Sequence, residues 1–233
     1  MKDGYMKLDL EAVDPLEFPS LEVFVGALAY LDEMRDGLPH LYERSISHLE
    51  AQSGSWEEFC GDSFEVDVVY KFHMPRALYY SFIIYLHSLI ECKLDEVTKT
   101  VMKIKLIPIK SNDINGSVIE RTQKYISKLG GIEIACIQGW AELRDLHVIR
   151  NVLVHRGGKP SADHKSRSEI KAISKRAKNL VTLTPSWDDE DSEINFGYEY
   201  CSDIAKIAYG FFKKLIEKCK LGIAHKEPSN PEA

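Results

Sequence analysis

The stretch that decides the fold is ALYYSFIIYLHSLI, residues 77–90. Apolar side chains would occupy nearly every side of a helix through this stretch, which is typical of the buried central helix of a bundle. The run is too short to span a bilayer and contains His87, so we expect no membrane association. The central helix is expected to begin near Pro75 and to continue to about Lys103.

Apolar residues at steps of three and four predict a long amphipathic helix before this one, with Ser20 as its N-cap. The apolar residues that mark it are Phe24, Leu28, Leu31, Met34, Leu38 and Leu41. Gly37 and Pro39 are expected to kink or split that helix, because proline removes a backbone hydrogen bond. Residues 51–64 are expected to form a connecting loop.

Four further segments follow the central helix. We expect a shorter helix from Ser117 to about residue 130, and a helix from Ile134 to Arg156 that ends at two glycines. A polar helix over 161–180 and a β-hairpin around the acidic turn 186–192 come next. Ser202 is then expected to cap the last amphipathic helix.

These patterns together predict an all-α fold, with a small β-hairpin before the last helix. We expect an extended segment over residues 1–19, a single helical domain over 20–222 and a disordered tail over 223–233.

Composition narrows the class of protein. Of the 233 residues, 44% are hydrophobic and 28% are charged, the profile of a globular domain. The net charge of −6 excludes a chain coated with basic residues, so nucleic-acid contact needs a local patch. The five cysteines are scattered and odd in number, and the N-terminus lacks the apolar run of a signal peptide. A reducing, cytoplasmic location is therefore expected.

The candidate site lies in IRNVLVHRGG, residues 149–158. On a helical wheel, Asn151 and His155 fall within about 20° of Arg144, opposite the apolar side, and His147 flanks them. Arg150 borders the apolar side, about 140° from His155. The two side chains would share one groove only if a neighbouring surface completed it, and a second copy of the same helix supplies such a surface.

This segment resembles the Arg-x(4–6)-His motif of HEPN domains, helical bundles that often act as ribonucleases in toxin–antitoxin and antiviral systems. The match consists of Arg150, a polar Asn151 directly after it, and His155 ahead of a glycine break. The architecture fits over roughly residues 20–220, but the residue match covers this segment alone. One toxin subgroup of this family has a tyrosine at the position of Gly157, and a partner enzyme modifies that tyrosine. This chain lacks it, so regulation by such a modification is not expected.

The resemblance implies a homodimeric, metal-independent endoribonuclease that acts on cellular RNA as a toxin or antiviral effector, with an antitoxin protein as a further partner. Arg150, Asn151 and His155 would be its catalytic residues. Histidine suits proton transfer near neutral pH, and arginine binds phosphate oxygens in pairs. The alternatives are a non-catalytic HEPN module that binds nucleotide, RNA or a protein, and a structural bundle with a coincidental motif.

Supporting positions for the site are Arg144, His147 and Glu91. Glu91 follows His87 on the central helix, and we expect that it either neutralises Arg150 or lies in solvent. The residues expected to bind RNA are Arg156, Lys159, Lys165 and Arg167. They belong to a basic run over 156–178, which is alternatively an ordinary solvated helix face. We see no metal-ligating spacing and expect no metal and no cofactor.

Overall fold

The computed structural model describes residues 18–160, 164–185 and 192–224. Seven α-helices span these residues: α1 (Glu22–Gln52), α2 (Trp56–Val68), α3 (Met74–Ile104), α4 (Val118–Lys124), α5 (Trp140–Arg156), α6 (His164–Arg176) and α7 (Tyr198–Ala224). Strands β1 (Val181–Pro185) and β2 (Ser192–Phe196) form an antiparallel hairpin before α7. The predicted all-α fold with a small hairpin is confirmed.

Helix α3 is the centre of the bundle and contacts α1, α4, α5 and α7. Its buried residues recur on successive turns along most of its length: Phe82, Ile83, Leu86, His87, Ile90, Leu94, Val97, Thr98 and Val101. Helix α7 packs against α1, where the rings of Phe24 and Phe212 stack with centroids 5.4 Å apart. The stretch at 77–90 therefore lies in the central helix, as predicted, but it is not buried on every side. Ala77, Ser81, Tyr85 and Ser88 form an exposed strip along it.

Two glycines end α5, as predicted. Gly157 and Gly158 have φ angles of +58° and +90°, a region that L side chains rarely adopt. A Cβ atom on Gly158 would also lie 2.7 Å from the Tyr80 hydroxyl oxygen. The Ile194 amide donates a hydrogen bond to the Gly158 carbonyl, so β2 is joined to the end of α5.

The structure corrects two expectations about the first part of the chain. Helix α1 is not split, since Gly37 and Pro39 both lie inside one continuous helix. The expected loop over 51–64 is wrong, because most of that range belongs to α2. Ser55 is the N-cap of this helix, and its hydroxyl accepts a hydrogen bond from the Glu58 amide. The sequence did not predict the helix because the apolar periodicity of this segment is weak.

Two predicted helix starts are also wrong. Residues Ile134–Cys136 form only a 3-10 turn, and α5 begins at Trp140, because Gly139 has a φ angle of +100° that no continuous helix accommodates. Ser202 does not cap the last helix, which begins four residues earlier at Tyr198. Ser202 instead lies buried inside α7.

Several expectations concern residues outside the described ranges. These are the extended segment up to residue 17, the acidic turn over 186–191 and the tail from residue 225. Within the described ranges, no helix combines the length and the apolar character needed to cross a membrane.

Candidate functional site

Helix α5 has two different faces. Trp140, Leu143, Leu146, Ile149 and Leu153 are buried on one face. The opposite face carries the residues that the helical wheel grouped together, here called the polar stripe: Arg144, His147, Asn151 and His155. The two end residues of the stripe are exposed and the two central ones are half-buried.

The centre of this stripe meets α3 through a continuous series of polar side chains. His147 Nδ1 lies 3.0 Å from His87 Nε2, and the two rings stack with centroids 5.1 Å apart. Asn151 Nδ2 lies 3.2 Å from His147 Nε2, and Arg150 Nη1 lies 3.1 Å from Asn151 Oδ1. Glu91 Oε2 lies 3.5 Å from His87 Nδ1 at the other end. We call these five residues the polar chain.

Hydrogen-bonding rules give the polar chain one consistent direction. Arginine only donates, so Asn151 accepts with Oδ1 and presents its NH2 group to His147. His147 then accepts at Nε2, carries its proton on Nδ1 and donates to His87 Nε2. The remaining His87 proton lies on Nδ1 and faces Glu91. The polar chain thus runs from a cation to an anion through two neutral imidazoles.

Burial keeps both imidazoles uncharged near neutral pH. Desolvation, with smaller contributions from the charges of His147 and Arg150, lowers the pKa of His87 to about 4. Desolvation also lowers the pKa of His147, where Arg150 acts in the same direction and Glu91 and Glu120 oppose it. A neutral imidazole is the form that accepts a proton or ligates a metal.

Arg150 is half-buried, and no carboxylate in the described part of the chain pairs with it. Within the described residues no ion pair reaches it, and its buried Nε atom has no hydrogen-bond partner. The first expectation for Glu91 is therefore wrong: its carboxylate faces His87, because the imidazoles of α3 and α5 lie between it and Arg150. Solvent reaches Glu91 only in part, since its side chain is 28% exposed.

The structure separates His155 from the polar chain. His155 is exposed in the last turn of α5, and within the described residues no hydrogen bond joins it to Arg150. The two motif residues thus diverge on the helix, as the helical wheel predicts.

The basic run after the motif is partly paired. Arg156 is exposed, whereas Lys159 Nζ lies 3.9 Å from a Glu193 carboxylate oxygen. Arg167 is half-buried, and Lys165 belongs to α6 but its side chain lies outside the described residues. Arg176 binds the Asp145 carboxylate through two hydrogen bonds of 2.6 and 2.7 Å, which ties α6 to α5.

His87 is the site residue that sequence reasoning missed. One ligand atom each from His87, Glu91 and His147 lies within 4.8 Å of the other two, which contrasts with our expectation of no metal-ligating cluster. The available signal was a histidine and a glutamate four residues apart on an otherwise apolar helix. The third residue of the cluster, His147, lies 60 residues from His87 in the sequence, so residue spacing alone does not predict the cluster.

Comparisons of this chain with protein-family models, with curated proteins and with solved structures find no match. The function is therefore inferred from the residues between α3 and α5 and from the exposed end of α5.

Proposed function

We propose that the chain is a metal-independent endoribonuclease of HEPN type that acts as a homodimer in the cytoplasm, as a toxin or antiviral effector. The observation that carries this proposal is a half-buried guanidinium, Arg150, which no carboxylate neutralises among the described residues. It stands beside a neutral imidazole, His147, and on the helix that ends with the exposed His155.

Arg150 is suited to binding an anion. Its guanidinium donates to Asn151 Oδ1 through Nη1, so its charge is oriented but not cancelled. A planar fork of N–H groups matches the oxygens of a phosphate, and a partly desolvated site strengthens that contact. RNA phosphate is the polyanion that such a group recognises, and the exposed Arg144 and Arg156 extend the positive surface.

His155 is suited to proton transfer because it is exposed and an imidazole ring can both accept and donate a proton. In the proposed reaction, the RNA 2′-oxygen attacks the adjacent phosphorus and its proton passes to an imidazole. The bond from phosphorus to the 5′-oxygen breaks, and that oxygen takes a proton from an imidazolium that acts as the general acid. The products are a 2′,3′-cyclic phosphate and a 5′-hydroxyl.

A two-fold dimer would bring the required groups together. Arg150 and His155 diverge on one helix, whereas two copies of α5 facing each other would place the arginine of one protomer near the histidine of its partner. An antitoxin protein would then act by covering this cleft or by preventing dimerisation.

The test is RNA cleavage by the full chain in EDTA, with His155→Ala and Arg150→Ala as variants. We expect cleavage in EDTA, cyclic-phosphate ends, and losses of at least about 100-fold in both variants. His40→Ala is the matched control, because Arg35 and His40 form a second Arg-x4-His spacing in α1 and His40 is exposed.

Three results would overturn the proposal. They are cleavage that needs magnesium, a monomer in light scattering at micromolar concentration, and equal activity in wild type, His155→Ala and His40→Ala.

A second candidate function is a module that binds RNA or nucleotide without cleaving it. The separation of Arg150 from His155 favours it, since a binding site does not need the two side chains to meet. It predicts RNA binding that Arg150→Ala abolishes and His155→Ala leaves unchanged, with no cleavage by any variant.

A further inference from the structure

We propose that His87, Glu91 and His147 bind a divalent transition-metal ion of the zinc class between α3 and α5. This inference goes beyond the proposed ribonuclease, whose chemistry uses Arg150 and His155 and needs no metal. One ligand atom from each of the three residues already lies within 4.8 Å of the other two.

The donor set is one that zinc uses. Two imidazoles and one glutamate, with a fourth position left for water, form a known type of three-ligand zinc site. With zinc–ligand distances near 2.0–2.1 Å, tetrahedral geometry places the ligand atoms about 3.3 Å apart. His87 Nε2 lies 3.0 Å from His147 Nδ1, and Glu91 Oε2 lies 3.5 Å from the other nitrogen of the same His87 ring, Nδ1. A single ion takes only one of these two nitrogens. The ligand atoms that are farthest apart, at up to 4.8 Å, would therefore have to approach each other by about 1.5 Å to complete the shell.

A second observation comes from the burial of His87. Its side chain has no exposed surface, yet among the described residues Nδ1 finds no hydrogen-bond partner and faces Glu91 at a distance too long for a good bond. Buried polar atoms of this kind are rare in folded proteins and call for an explanation. A cation bound between the imidazoles and the carboxylate supplies one.

The charges around the site also favour a cation. Glu91 of α3 and Glu120 of α4 act on His147 as negative charges, and Arg150 of α5 acts as a positive one. The two imidazoles are neutral, which is the form that ligates a metal. Glu91 and His147 are only partly buried, so an ion has a path from solvent.

Asn151 gives the proposal a specific consequence. When His147 ligates through Nδ1, its proton moves to Nε2, which then requires an acceptor. Asn151 now presents its NH2 group to that nitrogen and would have to turn its amide over. A carboxylate at position 151 would accept from Nε2 without that rearrangement, so Asn151→Asp should bind the ion more tightly, by about 10-fold.

The experiment uses the full chain, stripped with EDTA and dialysed, and measures zinc affinity by competition with a chromophoric chelator. The absorption spectrum of the cobalt(II) complex reports the coordination geometry. We expect one ion per chain, a tetrahedral cobalt spectrum without thiolate charge-transfer bands, and affinity losses beyond about 100-fold in Glu91→Gln and His147→Ala. Both positions are partly exposed, so these variants should fold even if His87→Ala does not.

The matched controls are Asp95→Asn, one turn along α3 from Glu91, and His155→Ala, at the exposed end of α5. Both should bind zinc as wild type does. Wild-type affinity in Glu91→Gln and His147→Ala, or thiolate bands in the cobalt spectrum, would overturn the proposal. RNA cleavage does not enter this readout, so a failed metal site and a failed ribonuclease are distinguished.

Discussion

The two faces of α5 lie in contrasting environments. The apolar face packs tightly against α7: the Trp140 ring stacks on Phe211 with centroids 5.6 Å apart. A Cβ atom on Gly139 would lie 3.1 Å from atoms of both Ile207 and Phe211. The polar face meets α3 through the imidazoles of His87 and His147.

The difference teaches that one helix can serve stability and function separately. Burial of apolar surface stabilises the fold in proportion to the area removed from water. Burial of imidazoles costs desolvation that their hydrogen bonds offset only in part. A buried polar interface often adds no stability compared with an apolar interface of the same size. Polar interfaces of this kind are therefore expected mainly at functional sites.

The largest effect should follow from a cavity in the apolar face. Leu146→Ala removes a side chain that has no exposed surface, and we expect the free energy of unfolding to fall by about 2–5 kcal/mol. Val154→Ala on the same helix is the control, because Val154 is 43% exposed and its loss should change stability by at most about 0.5 kcal/mol. Urea denaturation measures both. Equal losses would mean that the apolar face does not dominate stability.

The same contrast explains which features of the site could be predicted from the sequence. The apolar face of α5 and the grouping of Arg144, Asn151 and His155 follow from helical periodicity, because every position lies on one element. The polar chain does not, since it depends on how α3 packs against α5. Glu91 was expected to contact Arg150 or solvent. No periodic pattern within one helix predicts that the rings of His87 and His147 stack between Glu91 and Arg150.

Helix boundaries failed for local reasons. The start of α5 depends on the φ angle of Gly139, which the sequence permits but does not impose. The start of α2 depends on the Ser55 cap, which resembles an ordinary loop serine when the following apolar periodicity is weak. Strong periodicity and double-glycine stops were predicted correctly because each acts within a few residues.

The polar face should make the metal-free fold sensitive to acid. The pKa of His87 is about 4 in the folded chain and about 6.5 when unfolded, so the unfolded chain binds more protons between these values. Stability should be highest above pH 6.5 and should fall as the pH approaches 4, by about 2–3 kcal/mol. Urea melts in EDTA across this pH range provide the measurement.

The control for this effect is His87→Leu, which fills most of the same volume without a titrating group. Its stability should change less with pH over the same window, and the titration of His147 should remain in both proteins. Glu91 and Arg150, the charged groups nearest to the imidazoles, are unchanged in the variant. An identical pH dependence in wild type and variant would show that His87 is not held neutral by burial.

The smallest effects should come from the two motif residues. His155→Ala should change stability by at most about 0.5 kcal/mol, since His155 is exposed. Arg150→Ala should cost about 1–2 kcal/mol, because it removes the charged hydrogen bond to Asn151. A double-mutant cycle identifies the partner: Arg150→Ala should be non-additive with Asn151→Ala and additive with Glu91→Gln. Coupling to Glu91 instead would mean that the polar chain does not run through the imidazoles.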